Sequence, residues 1–328
     1  MAEVKRQLND TYPLKELGEP GKFLGCHVVR DYDSRTITLF QTPYVEAMLD
    51  EYGMSSCYKH AIPMNPKYLK AGDGDPVDTQ GYLHLTGQLN WVATKTRPDV
   101  VYAVGRLQKK NSSPTTTDMA AGKHLLRYLK GTKNHGVCLG TRPHEGLAVY
   151  VDASHADNTD GKSTESFVTT FAGAPISWAS KKQSFVASSS TIAEFCALTA
   201  AVKEAIWLRK LTVALGLEKP GPVTVYCDSS NALDIVKRTG YSSSTKWVDN
   251  RYFFIRDAYN RGDIEFRWID GHSNPADGLT KPLERVKFLQ FKELINLHDC
   301  TVDKASKDRM ELEDIADGFV DEGIFSMC

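Results

Sequence analysis

The chain has 328 residues, of which 41% are hydrophobic and 25% charged, with a formal net charge of −1. This length allows two domains, and the composition is typical of a globular protein and excludes a disordered or fibrous chain. Residues 1–10 carry no apolar segment, and no run approaches the roughly 20 apolar residues needed to cross a bilayer. Seven scattered cysteines without a Cys-x-x-Cys pair indicate a reducing compartment and no disulfide framework. We therefore expect an intracellular protein, cytoplasmic or nuclear, with no membrane partner.

The net charge conceals two opposing blocks. Between Lys95 and Lys133 the sequence has nine Lys or Arg residues against two Asp, whereas residues 299–328 have nine acids against three bases. A basic block of this kind is either a solvated surface or a contact surface for the backbone of a nucleic acid.

The first part of the chain predicts a small unit over residues 1–66. Apolar and polar residues alternate from Phe23 to Gln41 around an Asp- and Ser-rich turn, which predicts a β-hairpin. The pair Thr42-Pro43 then predicts a short helix that begins with a capping hydroxyl and ends at Gly53. Because this unit has few partners of its own, we expect apolar surface to be exposed on it.

A polar segment rich in Gly and Pro follows, and we predict a linker over residues 67–80. Residues 81–140 form a basic region in which we predict two helices, Pro98 to about Lys110 and Thr117 to Lys130, with the basic block on their outer faces. If that surface contacts nucleic acid, the candidate residues are Lys123, Arg127 and Lys130.

Residues 146–297 predict a separate α/β domain with a mixed sheet. A short apolar run, Leu147 to Asp152, is typical of a buried central strand. We predict that it opens an antiparallel meander, followed by a long amphipathic helix that ends near Leu215. The remaining predicted elements are a strand at Val223–Asp228, a helix at Ser229–Lys237, a helix at Trp247–Arg261, a strand at Ile264–Asp270, and a turn and helix from Asn274 to Leu283.

Four acids of this domain are candidates for one site. Asp152 and Asp228 each follow an apolar strand, and parallel neighbouring strands would deliver both to the same sheet edge. Glu194 lies in the first turn of the long helix and Asp277 near the start of the last one. Crowded carboxylates repel, and two Mg²⁺ or Mn²⁺ ions would relieve the repulsion and support in-line attack on phosphorus.

Each acid also has a plainer interpretation. Asp152 could cap a turn, Glu194 could complete a capping box with Thr191, and Asp228 could cap the helix that begins at Ser229. Asp277 could interact favourably with the positive N-terminal end of its helix dipole. The joint placement of the four acids at strand ends and helix starts favours the shared site.

Several blocks of the sequence resemble one known family. The quoted blocks keep the order and approximate spacing that the family shows; they are Tyr150-Val151-Asp152-Ala153, Pro175-Ile176-Ser177-Trp178, Ser188-Ser189-Ser190-Thr191-Ile192-Ala193-Glu194, Tyr226-Cys227-Asp228-Ser229 and Ala276-Asp277-Gly278-Leu279-Thr280-Lys281-Pro282-Leu283. This pattern resembles the ribonuclease H domain of Ty1/copia-type retrotransposon Pol polyproteins. Upstream, Gly87-Gln88-Leu89-Asn90-Trp91 and Thr96-Arg97-Pro98-Asp99 resemble the family's region between polymerase and ribonuclease H.

The resemblance implies a ribonuclease H-like mixed five-stranded sheet with flanking helices, preceded by the palm end, thumb and connection of a reverse transcriptase. It implies that Asp152, Glu194, Asp228 and Asp277 bind the metal ions and cleave the RNA strand of an RNA–DNA hybrid, leaving a 3′-hydroxyl and a 5′-phosphate.

The resemblance also supplies candidate contacts to the hybrid. Asn274 and Lys281 would line the hybrid near the site, and Lys181, Lys182 and Ser189 would contact its backbone. His272 could help to activate water or release product, and the alternative for it is a surface-loop histidine.

The sequence also departs from the family. It contains no Tyr-x-Asp-Asp, so we expect no polymerase activity and consider a separate polymerase acting in trans. Ser154-His155 stand where the family has Asp-Trp, and Trp247 and Phe253 stand where it has histidines.

The acidic tail, 298–328, does not match the family, and we expect it to be disordered or of unrelated origin. One alternative function is a catalytically inactive remnant that at most binds nucleic acid. Another is a related nuclease fold acting on DNA, which the position of Glu194 on the long helix disfavours.

Overall fold

The structure is a computed structural model that describes residues 2–12, 15, 18–70, 72, 74–237 and 249–300. The expectations for Trp247 and for the tail beyond residue 300 lie outside these residues. No helix within the described ranges is both long and apolar enough to span a membrane.

Helices and strands follow one another in runs along the chain, with short 3-10 helices at Pro66–Lys70, Pro98–Val100, Gly271–Ser273 and Asp277–Leu279. The elements, in order, are α1 (Ala2–Thr11), β1 (Lys22–Phe23), β2 (Cys26–Asp31), β3 (Thr36–Phe40), α2 (Thr42–Glu51), α3 (Thr79–Lys95), α4 (Val101–Gln108), α5 (Thr116–Gly131), β4 (His135–Leu139), β5 (Ala148–Ser154), β6 (Thr164–Phe171), β7 (Ala174–Lys182), α6 (Ser190–Ala214), β8 (Val223–Cys227), α7 (Ser230–Lys237), α8 (Asp249–Asn260), β9 (Ile264–Trp268), α9 (Arg285–Leu294) and β10 (Leu297–Asp299). The strands form two five-stranded sheets, ordered β1-β2-β3-β4-β10 and β7-β6-β5-β8-β9.

The first sheet is built on the predicted hairpin, which is confirmed. Strands β2 and β3 pair antiparallel as far as Asp31 and Thr36. The Asp31 carboxylate accepts hydrogen bonds from the backbone N–H groups of Asp33 and Ser34, which closes the turn. The expected exposure of apolar side chains in this part of the chain is also observed; examples are Leu8, Tyr12, Phe23, Leu24, Val29 and Tyr32.

The predicted cap of α2 is wrong. Gln41 occupies the cap position and its side chain makes no capping bond. The Thr42 hydroxyl instead donates to the backbone carbonyl of Lys133, 3.0 Å away, just beyond α5. The hydroxyl that the local pattern assigned to the cap of α2 is therefore used in a tertiary hydrogen bond instead.

Helix α3 was not predicted, and it begins within the last residues of the predicted linker. The Asp78 carboxylate caps it by accepting hydrogen bonds from the backbone N–H groups of Gln80 and Gly81. Its apolar face is sparse and broken by glycines, so the helical period is weak in the sequence. Tyr82 and Leu85 on that face are nonetheless fully buried, because α3 packs against α4 and α5.

The core around α3, α4 and α5 also receives residues from the far end of the chain. Phe288 and Phe291 of α9, with Leu297 of β10, belong to the same buried cluster as the helices before residue 130. Trp178 of β7 packs on this cluster and donates its indole N–H to the carbonyl of Ala93 in α3. The helical region and the second sheet thus share a packed boundary.

We predicted that the basic block lies on the outer faces of the two helices, and this prediction is wrong for part of the block. Arg97 is only 1% exposed and donates to Asp99 at 2.9 and 2.7 Å, so it is a buried ion pair. Arg106 is half-buried and contacts Asp157 at 3.2 Å, in the loop after β5. Burial beside an acid removes both arginines from any nucleic-acid surface.

The second sheet has the predicted mixed topology. Strands β5, β6 and β7 form the antiparallel meander, whereas β5–β8 and β8–β9 are parallel. Helix α6 covers the sheet, and its buried side chains join Val149, Val151 and Val225 in one core. The register pairs Val151 with Cys227, so the residues that follow these two come out side by side at one edge.

Candidate active site

Two acids lie at the carboxyl edge of the second sheet. Asp152 lies in β5, two residues before the end of the strand, and is only 5% exposed, whereas Asp228 follows the last residue of β8 and is half-buried. The parallel pairing of β5 with β8 therefore brings both acids to one edge of the sheet, as predicted. Asp228 does not cap α7, because the Ser229 hydroxyl accepts from the backbone N–H of Ala232 at 3.3 Å.

Glu194 points from α6 toward the same edge. Its Oε1 accepts a hydrogen bond of 3.1 Å from the backbone N–H of Ala153, the residue next to Asp152. The alternative capping box with Thr191 is wrong, since the N-cap is Ser189, whose hydroxyl accepts from Ile192. Glu194 thus bridges the helix to the strand end.

The loop that carries Asp277 is fastened to β5. The Asn274 side-chain amide donates to the carbonyl of Val151 at 2.9 Å, and its oxygen accepts from the backbone N–H of Ala276 at 3.1 Å. Asn274 is buried in doing so, which makes it a support of the site. The Thr280 hydroxyl donates to the Asp152 carboxylate, so the loop holds the first acid directly.

Burial and neighbouring charges raise the pKa values of Asp152, Glu194 and Asp228. Burial raises the pKa of Asp152 to about 6, with smaller contributions from the charges of Asp277 and Asp228. Burial, and then the charge of Asp152, raise the pKa of Glu194 to about 9. Burial also raises the pKa of Asp228. Lys281 forms an ion pair with Asp277 and offsets part of this negative charge.

These residues suit a bound divalent cation. Carboxylate oxygens are the ligands that Mg²⁺ and Mn²⁺ prefer, and crowded acids with raised pKa values lose their repulsion when a cation enters. Oε2 of Glu194 is buried without a hydrogen-bond partner among the described residues, as expected of an atom that awaits a ligand. Glu194 and Asp228, together with Cys227, have one ligand atom each within 4.8 Å of the others, so these three residues are a possible metal-binding group.

Other predicted site residues lie at the mouth of the site. His272 is exposed, and with Asp228, Asp277 and Lys281 it lines an open cleft of about 330 Å³. Its backbone N–H is bonded to Asp270, so the imidazole is not needed to hold the loop. A role for His272 in moving protons therefore stays a prediction.

The predicted backbone contacts on the meander differ among themselves. Lys181 and Lys182 are exposed at the end of β7, and Lys182 pairs with Asp160 at 3.0 Å. Ser189 is half-buried, and its hydroxyl is used as the cap of α6.

The predicted nucleic-acid contacts on α5 have partners in the segment after α2 or are exposed. Lys123 is exposed, and the Arg127 guanidinium lies over the ring of Tyr58 at 4.7 Å. Lys130 donates to the carbonyl of Cys57. Neither of these two contacts is with one of the four acids, and the contact of the three residues with nucleic acid remains a prediction.

Two residues of the site were missed by the reasoning from sequence. Cys227 immediately precedes Asp228, and its thiol lies beside Glu194 and Asp228. The exposed Trp268 ends β9, and its indole N–H donates to the backbone carbonyl of Asp228 at 2.9 Å. The position of Cys227 beside an acid was visible in the sequence, whereas Trp268 reaches the site only through the β8–β9 pairing.

Comparison with known proteins extends over nearly the whole chain. No protein-family model matches it. A Pol polyprotein from transposon TNT 1-94 of Nicotiana tabacum is 36% identical over 307 residues, which is 91% of this chain and 23% of the relative. The chain belongs to the Ty1/copia-type retrotransposon Pol family. The resemblance inferred from the motifs is therefore confirmed.

Two further relatives differ in how much of their own length this Pol-family chain covers. The Pol polyprotein from transposon RE2 of Arabidopsis thaliana is 34% identical over 88% of this chain and 20% of its own length. An uncharacterized mitochondrial protein of Arabidopsis thaliana is 32% identical over 61% of this chain and 83% of its own length. The chain spans less than a quarter of the length of the curated polyproteins that it matches.

Solved ribonuclease H structures align with part of the chain. The N-terminal ribonuclease H domain of a Mycobacterium tuberculosis protein covers 41% of this chain and 90% of its own, at 14% identity and a TM-score of 0.31. LC11-RNase H1 in complex with an RNA/DNA hybrid covers 40% and 92%, at 20% identity and the same TM-score of 0.31. The predicted mixed five-stranded sheet with flanking helices is confirmed by the strand order and strand directions of the second sheet.

Proposed function

We propose that this Pol-family chain is a ribonuclease H that hydrolyses the RNA strand of RNA–DNA hybrids with two Mg²⁺ or Mn²⁺ ions. The observation that carries the proposal is the meeting of Asp152, Glu194, Asp228 and Asp277 at one edge of the second sheet, where burial and neighbouring acids raise the pKa values of the first three. Such perturbed acids beside an open cleft are typical of a catalytic site.

The four acids would hold the ions, which supply a Lewis acid for the attacked phosphate and a more acidic water as nucleophile. The chain's own residues prepare the site. Thr280 fixes the orientation of Asp152 through its hydroxyl, and Asn274 fixes the loop of Asp277 to β5. Both act before substrate arrives, so the acids need little reorganisation when the hybrid binds.

Positive and titratable groups at the cleft would act on the substrate itself. Lys281 lies beside Asp277 with its side chain half-exposed, and from there it would contact a phosphate next to the attacked one. His272 would donate a proton to the departing 3′-oxygen, which leaves a 3′-hydroxyl and a 5′-phosphate. Lys181 and Lys182 would contact the hybrid's backbone further along.

The partners follow from this activity. The substrate would be an RNA–DNA hybrid, supplied by a reverse-transcriptase polymerase that acts in trans if this chain works alone. Such a reaction would occur inside the cell, in the cytoplasm or the nucleus.

The test is cleavage of an end-labelled RNA–DNA hybrid with Mg²⁺ by the unmodified protein and by Asp228→Asn. We expect the variant to lose at least roughly a hundredfold in rate, because it loses a ligand and not merely a support of one. Asp234→Asn is the matched control, since Asp234 is exposed on the adjacent helix α7. Equal metal-dependent cutting by the unmodified protein and Asp228→Asn would refute the proposal.

The same assay separates the two alternatives. Hybrid binding that weakens with salt, without cleavage by any variant, would support an inactive remnant that only binds nucleic acid. Cleavage of duplex DNA in preference to the hybrid would support a DNA nuclease on the same fold.

A further inference from the structure

Cys227 adds a sulfur to the acidic edge. It ends β8, is fully buried, and its thiol lies close to the carboxyl groups of Glu194 and Asp228. One ligand atom from each of the three residues lies within 4.8 Å of the others. Within the described ranges, this is the one set of three His, Cys, Asp or Glu side chains with such mutual spacing.

A second observation points to a ligand at this set. Glu194 is 8% exposed, so the side chain is more than nine-tenths buried. Its Oε1 is satisfied by the N–H of Ala153, but Oε2 has no hydrogen-bond partner in the described part of the chain. A buried polar atom left without a partner costs free energy, and a cation bound there would remove that cost.

We propose that Glu194, Cys227 and Asp228 form a site for a thiophilic divalent cation such as Zn²⁺ or Cd²⁺. A thiolate and two carboxylates are ligands that Zn²⁺ accepts together, whereas Mg²⁺ takes oxygen ligands and avoids sulfur. The sulfur therefore distinguishes this site from the proposed Mg²⁺ set, although the two share a pair of acids.

The spacing of the donors is compatible with such an ion. Around a tetrahedral Zn²⁺, donors lie about 3.5 Å apart, as follows from bond lengths of about 2.0 to 2.3 Å. Donors already within 4.8 Å of one another need only small side-chain rotations to reach that spacing. Asp228 lines the open cleft, so an ion can enter there and keep a water molecule as its fourth ligand.

Binding exchanges the Sγ–H bond of Cys227 and the carboxyl O–H bond of Glu194 for bonds to the metal, and both protons pass to solvent without any change of oxidation state. The bound ion takes Glu194 and Asp228 away from the hard cations. Zn²⁺ or Cd²⁺ should therefore compete with Mg²⁺. This inhibition rests on the proposed nuclease function, whereas the binding itself does not.

Cd²⁺ titration of the full chain tests the binding directly, with the ultraviolet charge-transfer absorption of a Cd–thiolate bond and calorimetry as readouts. The unmodified protein should bind one Cd²⁺ with that absorption, and Cys227→Ser should lose the absorption and bind at least tenfold more weakly. Cys196→Ser is the matched control, because Cys196 is a buried cysteine of the same core whose thiol already contacts Arg251 at 3.4 Å. It should behave like the unmodified protein.

Three outcomes would overturn the proposal: no thiolate absorption in the unmodified protein, absorption retained by Cys227→Ser, or absorption lost in Cys196→Ser. Glu194→Gln provides a second variant that removes a donor and keeps Cys227, and it should weaken Cd²⁺ binding by a similar factor. If Cys227→Ser does not fold, as circular dichroism would show, unchanged Cd²⁺ affinity in Glu194→Gln would still refute the site.

Inhibition of Mg²⁺-dependent hybrid cleavage is a separate readout. The Zn²⁺ concentration that halves the rate should rise at least tenfold in Cys227→Ser and stay unchanged in Cys196→Ser. If no variant cleaves hybrid, the proposed nuclease function fails while the Cd²⁺ titration still decides the metal site. If cleavage occurs and Zn²⁺ inhibits all three proteins equally, the nuclease function stands and this site does not.

Discussion

Replacing Glu194 with Gln should make the metal-free protein more stable at neutral pH. Glu194 is buried beside Asp152, and these two causes raise its pKa from 4.5 to about 9. In the folded chain at pH 7 the carboxyl group therefore holds its proton, while in the unfolded chain it is ionised. Folding must take up a proton at this position, and that uptake costs free energy above the unfolded pKa.

The size of this cost depends on the pH and on the unfolded pKa. Between the unfolded value of 4.5 and pH 7, each pH unit corresponds to about 1.4 kcal/mol, which gives up to about 3.5 kcal/mol at pH 7. The sign follows from the raised pKa: the folded state binds more protons, so the unfolding free energy falls as the pH rises from about 4.5 toward 9. Gln carries no charge and keeps an oxygen for the Ala153 N–H, so the variant avoids this loss.

Urea unfolding of both proteins with EDTA, at a series of pH values from 4 to 8, measures the effect. The stability difference should be close to zero near pH 4.5 and grow with pH in favour of Glu194→Gln. Added Mg²⁺ should stabilise the unmodified protein more than the variant, because binding to the folded state adds to its stability. A difference that is independent of pH, or a variant that is less stable at pH 7, would refute the reasoning.

Three other substitutions test the supports of the fold and site. Thr280→Val removes the hydroxyl that donates to Asp152, so we expect the pKa of that acid to rise further and the Mg²⁺ dissociation constant, measured by calorimetry, to increase roughly tenfold. Asp99→Ala leaves the buried Arg97 charge without its partner, which should lower the unfolding free energy in urea by about 3 to 5 kcal/mol. Gly136→Ala places a methyl group against a backbone carbonyl of the neighbouring strand β3, and thermal denaturation should show a loss of about 1 to 3 kcal/mol. A loss below 1 kcal/mol in Asp99→Ala, or none in Gly136→Ala, would contradict the packing described here, and an unchanged Mg²⁺ affinity in Thr280→Val would contradict its role.

Much of the second sheet could be predicted because its signals are local. The apolar runs that became β5 and β8 are short and end in Asp152 and Asp228, and the length between them fits a parallel crossover. From these features the edge at which the two acids meet followed without knowledge of any tertiary contact. The mixed order of the sheet followed in the same way, and the family motifs agree with it.

The sequence by itself thus determined the strands, the two acids at their ends and the family. Where a local pattern offered a side chain an equally good partner nearby in the sequence, only the tertiary structure decided which partner the side chain contacts. Thr-x-x-Glu is a capping signal, yet Glu194 bonds to Ala153 because the crossover helix lies against the end of β5. Helix α3 has too weak a period to be predicted, and it is ordered by neighbours that include residues near the other end of the chain. The sulfur of Cys227 lies beside the acids for the same reason. Its neighbour Glu194 is supplied by α6, and no spacing along the chain contains that information.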